Sequence, residues 1–275
     1  MNLTRIESVT SPPPPFVDLH NHLVPGVDDG SESIDESLGC LAGLFEQGVR
    51  ALVSTPHLLL PRLSTDASVT RELDFHRRAF DELVAAAAGR DDLPALGLGQ
   101  EIWAPDAATL ARAVGRADIG LAGSAAVLVE FGFDLQGDHT DVVRAARDAG
   151  RRIVIAHPER YRYLEGTVPL DLMRRWREMG ALLQVNAGSF TGHYRSGPEE
   201  LAWQMVAEGL VDLVGSDHHG IRRSGVSPLA AYQALIARGE PELAERAMSG
   251  TPSALVREPG AQDGAGELRS PAAGG

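Results

Sequence analysis

Metal-ligand side chains follow almost every short apolar run of this sequence. His20 and His22 end the first run, His57 follows the second and Glu101 the third. The later runs carry or end in Glu130, His157, Asn186, Asp217 and His219. A mixed set of imidazoles and carboxylates suits Mn, Fe or Zn better than Ca or Mg. The pattern therefore predicts a site for two or three divalent metal ions, with carboxylates such as Glu101 or Glu130 as bridges.

Taken singly, these residues are weak indicators of metal binding. His20 and His22 are two residues apart, so on a strand both side chains point to the same face. Asp29 follows in the first loop, whereas Glu130 lies in an apolar run, where an unpaired carboxylate is costly. A lone histidine is often a buried hydrogen-bonding group, and residues 217–219 alone resemble a solvated turn. The joint occurrence at the ends of successive runs favours the metal site.

Arginines near the same segments predict anion binding. Arg160 lies three residues after a candidate histidine ligand, and its guanidinium suits bidentate contact with phosphate. The alternative for Arg160 is a surface salt bridge with Glu159 or Asp134. Arg222 and Arg223 follow the last candidate histidine and are candidates for a second anion contact.

The sequence gives no sign of a nucleophilic side chain. Cys40 lies in a predicted helix without the Cys-x5-Arg phosphate loop. The Gly-Ser pairs at 123–124 and 188–189 lack the surroundings of a nucleophile elbow. A hydrolase with this sequence would therefore use metal-activated water. The histidines outside the pattern are interpreted as structural or solvent-facing: His76, His139, His193 and His218.

Strands and helices that alternate would position these residues. The apolar runs predict strands at 16–19, 51–55, 95–99, 126–131, 152–156, 182–186 and 210–215. Most are continuously apolar, as in parallel strands buried on both faces. Ser33 and Glu36 predict a capping-box helix start, and glycines at 48, 150, 180 and 209 predict helix ends.

This alternation predicts a single α/β domain with a parallel sheet. With roughly seven strand–helix units, its length of 275 residues favours a closed, TIM-like (β/α) barrel. An open doubly wound sheet is the alternative, but no Gly-rich dinucleotide or phosphate loop follows the first strand. We expect residues 1–15 to be an extended lead-in, 16–257 the barrel and 258–275 a disordered tail.

Composition limits the partners and the compartment. The net charge is -13 and lysine is absent, so a nucleic-acid partner is not expected. The single cysteine suits a reducing compartment. No apolar run approaches the roughly 20 residues of a membrane span, and the N-terminus lacks a signal-peptide pattern. We therefore expect a cytoplasmic protein without membrane insertion.

Several motifs resemble the PHP (polymerase and histidinol phosphatase) superfamily of metal-dependent phosphoesterases. The resemblance spans about residues 16–256, and its motifs come in the family's order. They include His-Leu-Val-Pro-Gly-Val-Asp-Asp-Gly at 22–30, Thr-Pro-His at 55–57, His-Pro-Glu-Arg-Tyr at 157–161 and Ser-Asp-His-His at 216–219. Within the superfamily, the sequence is most similar to manganese-dependent, CpsB-type protein-tyrosine phosphatases of capsule and exopolysaccharide loci.

The resemblance implies a trinuclear site in a distorted (β/α)7 barrel, with Mn²⁺ favoured and Fe or Zn as alternatives. The matching ligand positions are His20, His22, Asp29, His57, Glu101, Glu130, His157, Asp217 and His219. Arg160 matches the phosphate-binding arginine, and Asp217 or His57 would assist proton transfer.

The same resemblance implies a phosphotyrosine protein as the substrate, with the tyrosine-rich tail of a polysaccharide-assembly kinase as the expected partner. Two alternatives stay open. One is a small-molecule phosphatase, such as one acting on histidinol phosphate. The other is a regulatory module that binds metals without turnover.

Overall fold

A computed structural model describes residues 13–194, 196–223, 225–258 and 267–273. The strands are β1 (Phe16–Asp18), β2 (Val49–Ser54), β3 (His57–Leu59), β4 (Ala95–Leu98), β5 (Glu101–Trp103), β6 (Ala126–Glu130), β7 (Arg152–Ala156), β8 (Leu182–Asn186) and β9 (Leu213–Gly215). The helices are α1 (Ile34–Glu46), α2 (Asp66–Ala87), α3 (Ala107–Ala111), α4 (Thr140–Asp148), α5 (Pro169–Glu178), α6 (Ser196–Ala207), α7 (Pro228–Ala237), α8 (Pro241–Glu245) and α9 (Thr251–Leu255). Within these residues, no helix combines the length and apolar character needed to cross a membrane.

The strands form two sheets, ordered β1-β2-β4 and β3-β5-β6-β7-β8-β9. All strand pairs are parallel, which confirms the predicted α/β class with parallel strands. Two predicted strands continue past an interruption, β2 into β3 and β4 into β5. Pro56 lies at the first interruption and has no amide hydrogen for a ladder. A parallel bridge between Asn21 and His218 joins the segments that follow β1 and β9.

The strands are buried on both faces, as their continuously apolar sequences predicted. Val129 and Ile155 belong to the larger cluster, which includes residues of the surrounding helices. Leu128 and Ala156 belong to a smaller cluster built mainly from the strands. Since side chains two apart on a strand share a face, Glu130 lies on the same face of β6 as Leu128, at the carboxyl end of the strand.

The first helix begins and ends near the predicted residues. The Ser33 side chain accepts a hydrogen bond from the Glu36 amide. The predicted reciprocal bond of a capping box is replaced, because the Glu36 carboxylate accepts from the amides of Glu32 (2.9 Å) and Ile221 (2.8 Å). After the helix, Gly48 has φ of +100°, which favours glycine. Glu36 thus ties α1 to the segment that follows the last predicted ligand.

The prediction of a disordered tail at 258–275 is wrong for residues 267–273. Arg269 forms an antiparallel bridge with Leu96 through two backbone hydrogen bonds of 2.7 and 2.8 Å. The Pro271 carbonyl accepts from the Gly89 amide at 2.8 Å. Among the described strands, β4 pairs only with β2, so its other edge can accept a further segment of chain. Residues 1–12 of the predicted lead-in, and 259–266 and 274–275 of the tail, lie outside the described residues.

Candidate metal centre

The structure brings all nine predicted ligands together at the carboxyl ends of the strands. A cavity of about 690 Å³ opens over them. The residues fall into four groups, and within each group the potential ligand atoms all lie within 4.8 Å of one another. The groups are His22, Asp29, His57 and His219; His20, Glu101 and His157; His20, His22 and Asp217; and His57, Glu101 and Glu130. The groups share members, so they form one continuous cluster. The ligand roles themselves stay a prediction.

Glu101 lies at the centre of this cluster. Its Oε1 is 3.3 Å from His20 Nε2 and 3.0 Å from His157 Nε2. Its Oε2 is 3.3 Å from His22 Nε2 and 2.8 Å from His57 Nδ1. One fully buried carboxylate therefore faces four imidazoles.

A directional chain of hydrogen bonds fixes the ring of His20. The Asp217 carboxylate only accepts, so Asn186 Nδ2 donates to it at 2.6 Å. Asn186 Oδ1 then accepts from Gln184 Nε2 at 2.8 Å. Gln184 Oε1 is left to accept from His20 Nδ1 at 2.8 Å. His20 Nε2 therefore points its lone pair toward the cluster when the ring is neutral, as metal ligation requires.

A hydrogen bond to Asp28 fixes the ring of His22 in the same way. The His22 Nδ1–H donates to Asp28 Oδ2 at 2.7 Å, which leaves Nε2 facing the cluster. Asp28 also accepts from the amides of His57 (3.1 Å) and Gly30 (3.0 Å). Gly30 has no room for a side chain, because a Cβ there would lie 1.9 Å from the His22 carbonyl oxygen. Asp28 thus holds two predicted ligands in place, His22 through its ring and His57 through its amide.

The outer side of the cluster contains Asp29. Asp29 Oδ1 is 3.3 Å from His57 Nε2 and 3.5 Å from His219 Nε2. The His219 Nδ1–H donates to the Asp217 carbonyl at 2.9 Å, so its Nε2 also faces the cluster. Hydrogen bonds from His219 and His57 hold the pKa of Asp29 well below its usual value.

Two predicted ligands have unusual backbone conformations. His157 has φ of +34° and Asp217 has φ of +52°. Side chains other than glycine rarely adopt this region, and such residues concentrate at functional sites. The strand ends are therefore bent so that both side chains turn into the cluster.

The charges of the cluster fit divalent cations. Burial, together with the nearby Glu101 carboxylate, raises the pKa of Glu130 to about 7. Burial opposes ionisation of Glu101 and Asp217 too, but the surrounding histidines hold both pKa values well below normal. Buried ligand atoms without a hydrogen-bond partner include Nε2 of His20 and His22 and Oε2 of Glu101. Bound cations would satisfy these orphaned atoms.

Arg160 lies at the edge of the cluster. Its Nη1 donates to Asp217 Oδ2 at 2.5 Å, rather than to Glu159 or Asp134 as the alternative required. Its guanidinium carbon lies 4.9 Å from the ring centre of Phe133 and 4.1 Å from that of Tyr194. A guanidinium held between two rings beside the cluster can present its remaining N–H groups to an anion in the cavity.

The second predicted anion contact is not brought to the cavity. The Arg222 side chain is 76% exposed and forms an ion pair with Glu32. Glu32, which lies just before α1, forms this ion pair with Arg222 outside the cavity wall, and the substrate-binding role of Arg222 stays a prediction. The side chain of Arg223 lies outside the described part of the chain.

The remaining histidines take structural places. His76 is fully buried and its Nδ1 lies 2.7 Å from Gln100 Oε1; the charged residues around it gave no sign of this burial. His139 stacks on Phe131, and His193 packs edge-on against Tyr194. The His218 Nδ1 accepts from the Gly220 amide at 3.1 Å. In the described residues, the four-group cluster includes none of these histidines.

Sequence reasoning missed Asp28 and Gln184 as residues that orient the ligands, and it noted Asn186 at the end of an apolar run without recognising its orienting role. Asp28 lies in the first loop, whereas Gln184 and Asn186 lie in an apolar strand and are two residues apart, as His20 and His22 are. That spacing indicates a shared face and could have marked them. The wall of the cavity also contains Trp103 and Phe133, and no sequence pattern marked these two residues.

The fold and the site together define an α/β protein whose parallel strands end in a buried cluster of imidazoles and carboxylates. The family described as "Capsular polysaccharide synthesis, CpsB/CapC" matches residues 16–255. The chain belongs to this family.

Relatives and a solved structure agree with this assignment. The chain is 30% identical to a putative tyrosine-protein phosphatase CapC of Staphylococcus aureus over 75% of its own length and 78% of the relative's. It is 28% identical to the tyrosine-protein phosphatase YwqE of Bacillus subtilis, with the same coverage of both chains. A crystal structure from work on YwqE and on CpsB of Streptococcus pneumoniae, described as metal-dependent tyrosine phosphatases, superimposes with a TM-score of 0.69 at 23% identity. That match covers 92% of this chain and 99% of the other, and it supports the same fold.

Proposed function

We propose that this protein is a metal-dependent protein-tyrosine phosphatase of capsular or exopolysaccharide synthesis. The observation that carries the proposal is the cluster of five imidazoles and four carboxylates beside Arg160. Membership of the CpsB/CapC family supports the pathway and the reaction. The proposed substrate is phosphotyrosine in the tail of a polysaccharide-assembly kinase, and the proposed location is the cytoplasm.

The proposed scaffold is one PHP-type domain over residues 16–257, built as a distorted (β/α)7 barrel. Support comes from the run of parallel pairs from β1 through β2 and β4, and from β3 through β5 to β9. The Asn21–His218 bridge supports closure between the first and last strands. A barrel of this kind carries its active site at the carboxyl ends of the strands.

We propose that the nine clustered residues bind three divalent ions, with Mn²⁺ favoured. Such ions supply an activated water and stabilise charge that develops on phosphoryl oxygens. The residues that would hold them are His20, His22, Asp29, His57, Glu101, Glu130, His157, Asp217 and His219. The five histidines supply nitrogen ligands and the four carboxylates offset the cationic charge, which suits a transition metal.

The chain's own residues have three further tasks. Arg160 binds the phosphoryl oxygens through the N–H groups that Asp217 leaves free. Asp217 in turn keeps the guanidinium oriented toward the cavity. His57 and Asp217 both lie in the cavity wall, and the His57 side chain is 23% exposed. Either residue is therefore placed to assist proton transfer.

The proposal is tested with Mn²⁺-loaded protein on a phosphotyrosine peptide, p-nitrophenyl phosphate and histidinol phosphate. We expect hydrolysis of the first two, loss of activity with EDTA and normal activity in Cys40→Ser. Activity that survives EDTA, or that requires Cys40, would overturn the mechanism. Preferential turnover of histidinol phosphate would instead favour the small-molecule phosphatase.

A matched pair of arginine variants separates an enzyme from a metal-binding module. Arg160→Ala should keep the metal content of the wild type and lose at least about a hundredfold in kcat/KM, the scale for one oriented donor. Arg144→Ala changes an exposed arginine of α4 and should retain full activity. Equal activity of the two variants would contradict the role of Arg160.

A further inference from the structure

Phe133 is a large apolar side chain left exposed inside the catalytic cavity. Its exposed fraction is 39%, in the loop that follows β6. Four other large hydrophobics of the described chain are at least as exposed, namely Phe75, Leu164, Val168 and Ile221. None of these four lines the cavity, whereas Phe133 does. The exposed part of the Phe133 side chain therefore borders the space that a substrate would occupy.

The backbone of the loop that carries Phe133 is anchored by hydrogen bonds. The Phe133 carbonyl accepts from the Arg162 amide at 2.6 Å, and the Leu135 amide donates to the Arg162 carbonyl at 3.1 Å. An ion pair between Asp134 and Arg162 reinforces this connection. The loop that carries Phe133 is thus tied to the segment that carries Arg160.

The Phe133 ring lies next to the groups proposed to do the chemistry. It is parallel to the His157 ring within 5°, with ring centres 5.7 Å apart. The Arg160 guanidinium carbon lies 4.9 Å from its centre. A phosphate bound to Arg160 would therefore have its ester substituent beside Phe133.

A second aromatic side chain backs this wall. Trp103 lines the same cavity, and a Cβ on Gly132 would lie 3.0 Å from Trp103 Nε1. The close contact with Gly132 brings the indole directly beside the Phe133 loop. Together, Phe133 and Trp103 give the cavity an aromatic side next to the proposed phosphate site.

We infer that Phe133 packs against the aromatic ring of the substrate and selects aryl over alkyl phosphate monoesters. This inference rests on the proposed phosphatase function and adds the residue that recognises the leaving group. Contact between two aromatic rings corresponds to a preference of roughly 2- to 13-fold, beyond the gain from burial itself. Phe133 thus acts as a specificity-determining residue, while Arg160 binds the phosphoryl group common to both ester classes.

The test compares two non-hydrolysable inhibitors, phenylphosphonate and methylphosphonate, on the Mn²⁺-loaded enzyme. Phe133→Ala should raise the Ki of phenylphosphonate about tenfold and leave that of methylphosphonate unchanged. Phe133→Tyr, which keeps the ring, should restore the wild-type Ki values. Phe75→Ala removes a phenylalanine of equal exposure (41%) outside the cavity, and both of its Ki values should match the wild type.

Two results would overturn the inference. An equal rise in both Ki values would mean that Phe133 only positions Arg160, and unchanged Ki values would mean that the substrate ring lies elsewhere. Neither result touches the proposed function, which is tested separately by hydrolysis of the phosphotyrosine peptide by the wild-type enzyme.

Discussion

Gln184→Leu removes the amide that orients His20 without changing any proposed ligand. Gln184 is 2% exposed and links His20 Nδ1 to Asn186 Oδ1. Leucine has a similar volume but leaves one buried donor and one buried acceptor without partners. The His20 ring can then rotate or take the other tautomer, which turns its lone pair away from the cluster.

The magnitude follows from these two groups. Each unsatisfied group costs roughly 1–3 kcal/mol, while burial of the leucine recovers roughly 1.5–3 kcal/mol. We expect the unfolding free energy of the metal-free protein to fall by about 2 kcal/mol. Loss of a residue that orients a metal-binding histidine typically weakens metal binding about 10- to 100-fold.

The assay combines Mn²⁺ titration with urea unfolding of the metal-free protein. Gln184→Glu keeps an oxygen acceptor for His20 and should bind Mn²⁺ more tightly than Gln184→Leu. Gln204→Leu makes the same change at an exposed position of α6 and should match the wild type in both measurements. A folded Gln184→Leu protein with wild-type Mn²⁺ affinity would refute the idea that this hydrogen-bond chain sets the tautomer of His20.

Three further predictions concern other parts of the molecule. Gly30→Ala should lower the unfolding free energy by about 2 kcal/mol and reduce Mn²⁺ binding, because its Cβ would meet the His22 carbonyl. Its control is Gly39→Ala, where the space around the Cβ is open. This variant should raise the unfolding free energy by about 0.5 kcal/mol in the same urea experiment. Burial raises the pKa of Cys40 to about 11, so iodoacetamide should label it at pH 8 about a hundredfold more slowly than a thiol of pKa 9; labelling at the rate of free cysteine would contradict this. Deletion of residues 259–275 removes three backbone hydrogen bonds, which lie at β4 and at the turn after α2. We expect the deletion to lower Tm by a few degrees and to promote aggregation through the exposed strand edge. An unchanged Tm and a monodisperse protein would contradict this prediction.

The sequence predicted which residues cluster, because their chemistry and their positions coincide. Glu101 and His157 each end an apolar run, and the carboxyl ends of parallel strands converge whatever the details of packing. The ligand cluster could therefore be predicted before its distances were known. The helix end at Gly48 could be predicted for a local reason, because glycine readily adopts the left-handed conformation that ends a helix.

The orienting residues and the tail depend on pairings that no local pattern contains. Gln184 acts on His20 across 164 positions of the chain, and its amide alone does not reveal its partner. Arg222 follows the last ligand as closely as expected, yet the nearby Glu32 takes its guanidinium. Residues 267–273 have the composition of a flexible end, but the free edge of β4 gives them a partner.

The central place of Glu101 has a consequence for how metal ions would load. An ion held through one of its oxygens would withdraw electron density from the other and would also fix the carboxylate plane. If Glu101 holds more than one ion, those ions would therefore not bind independently, and occupancy at one position would alter the affinity at the next. A stepwise Mn²⁺ titration followed by calorimetry should then deviate from a curve for identical, non-interacting sites.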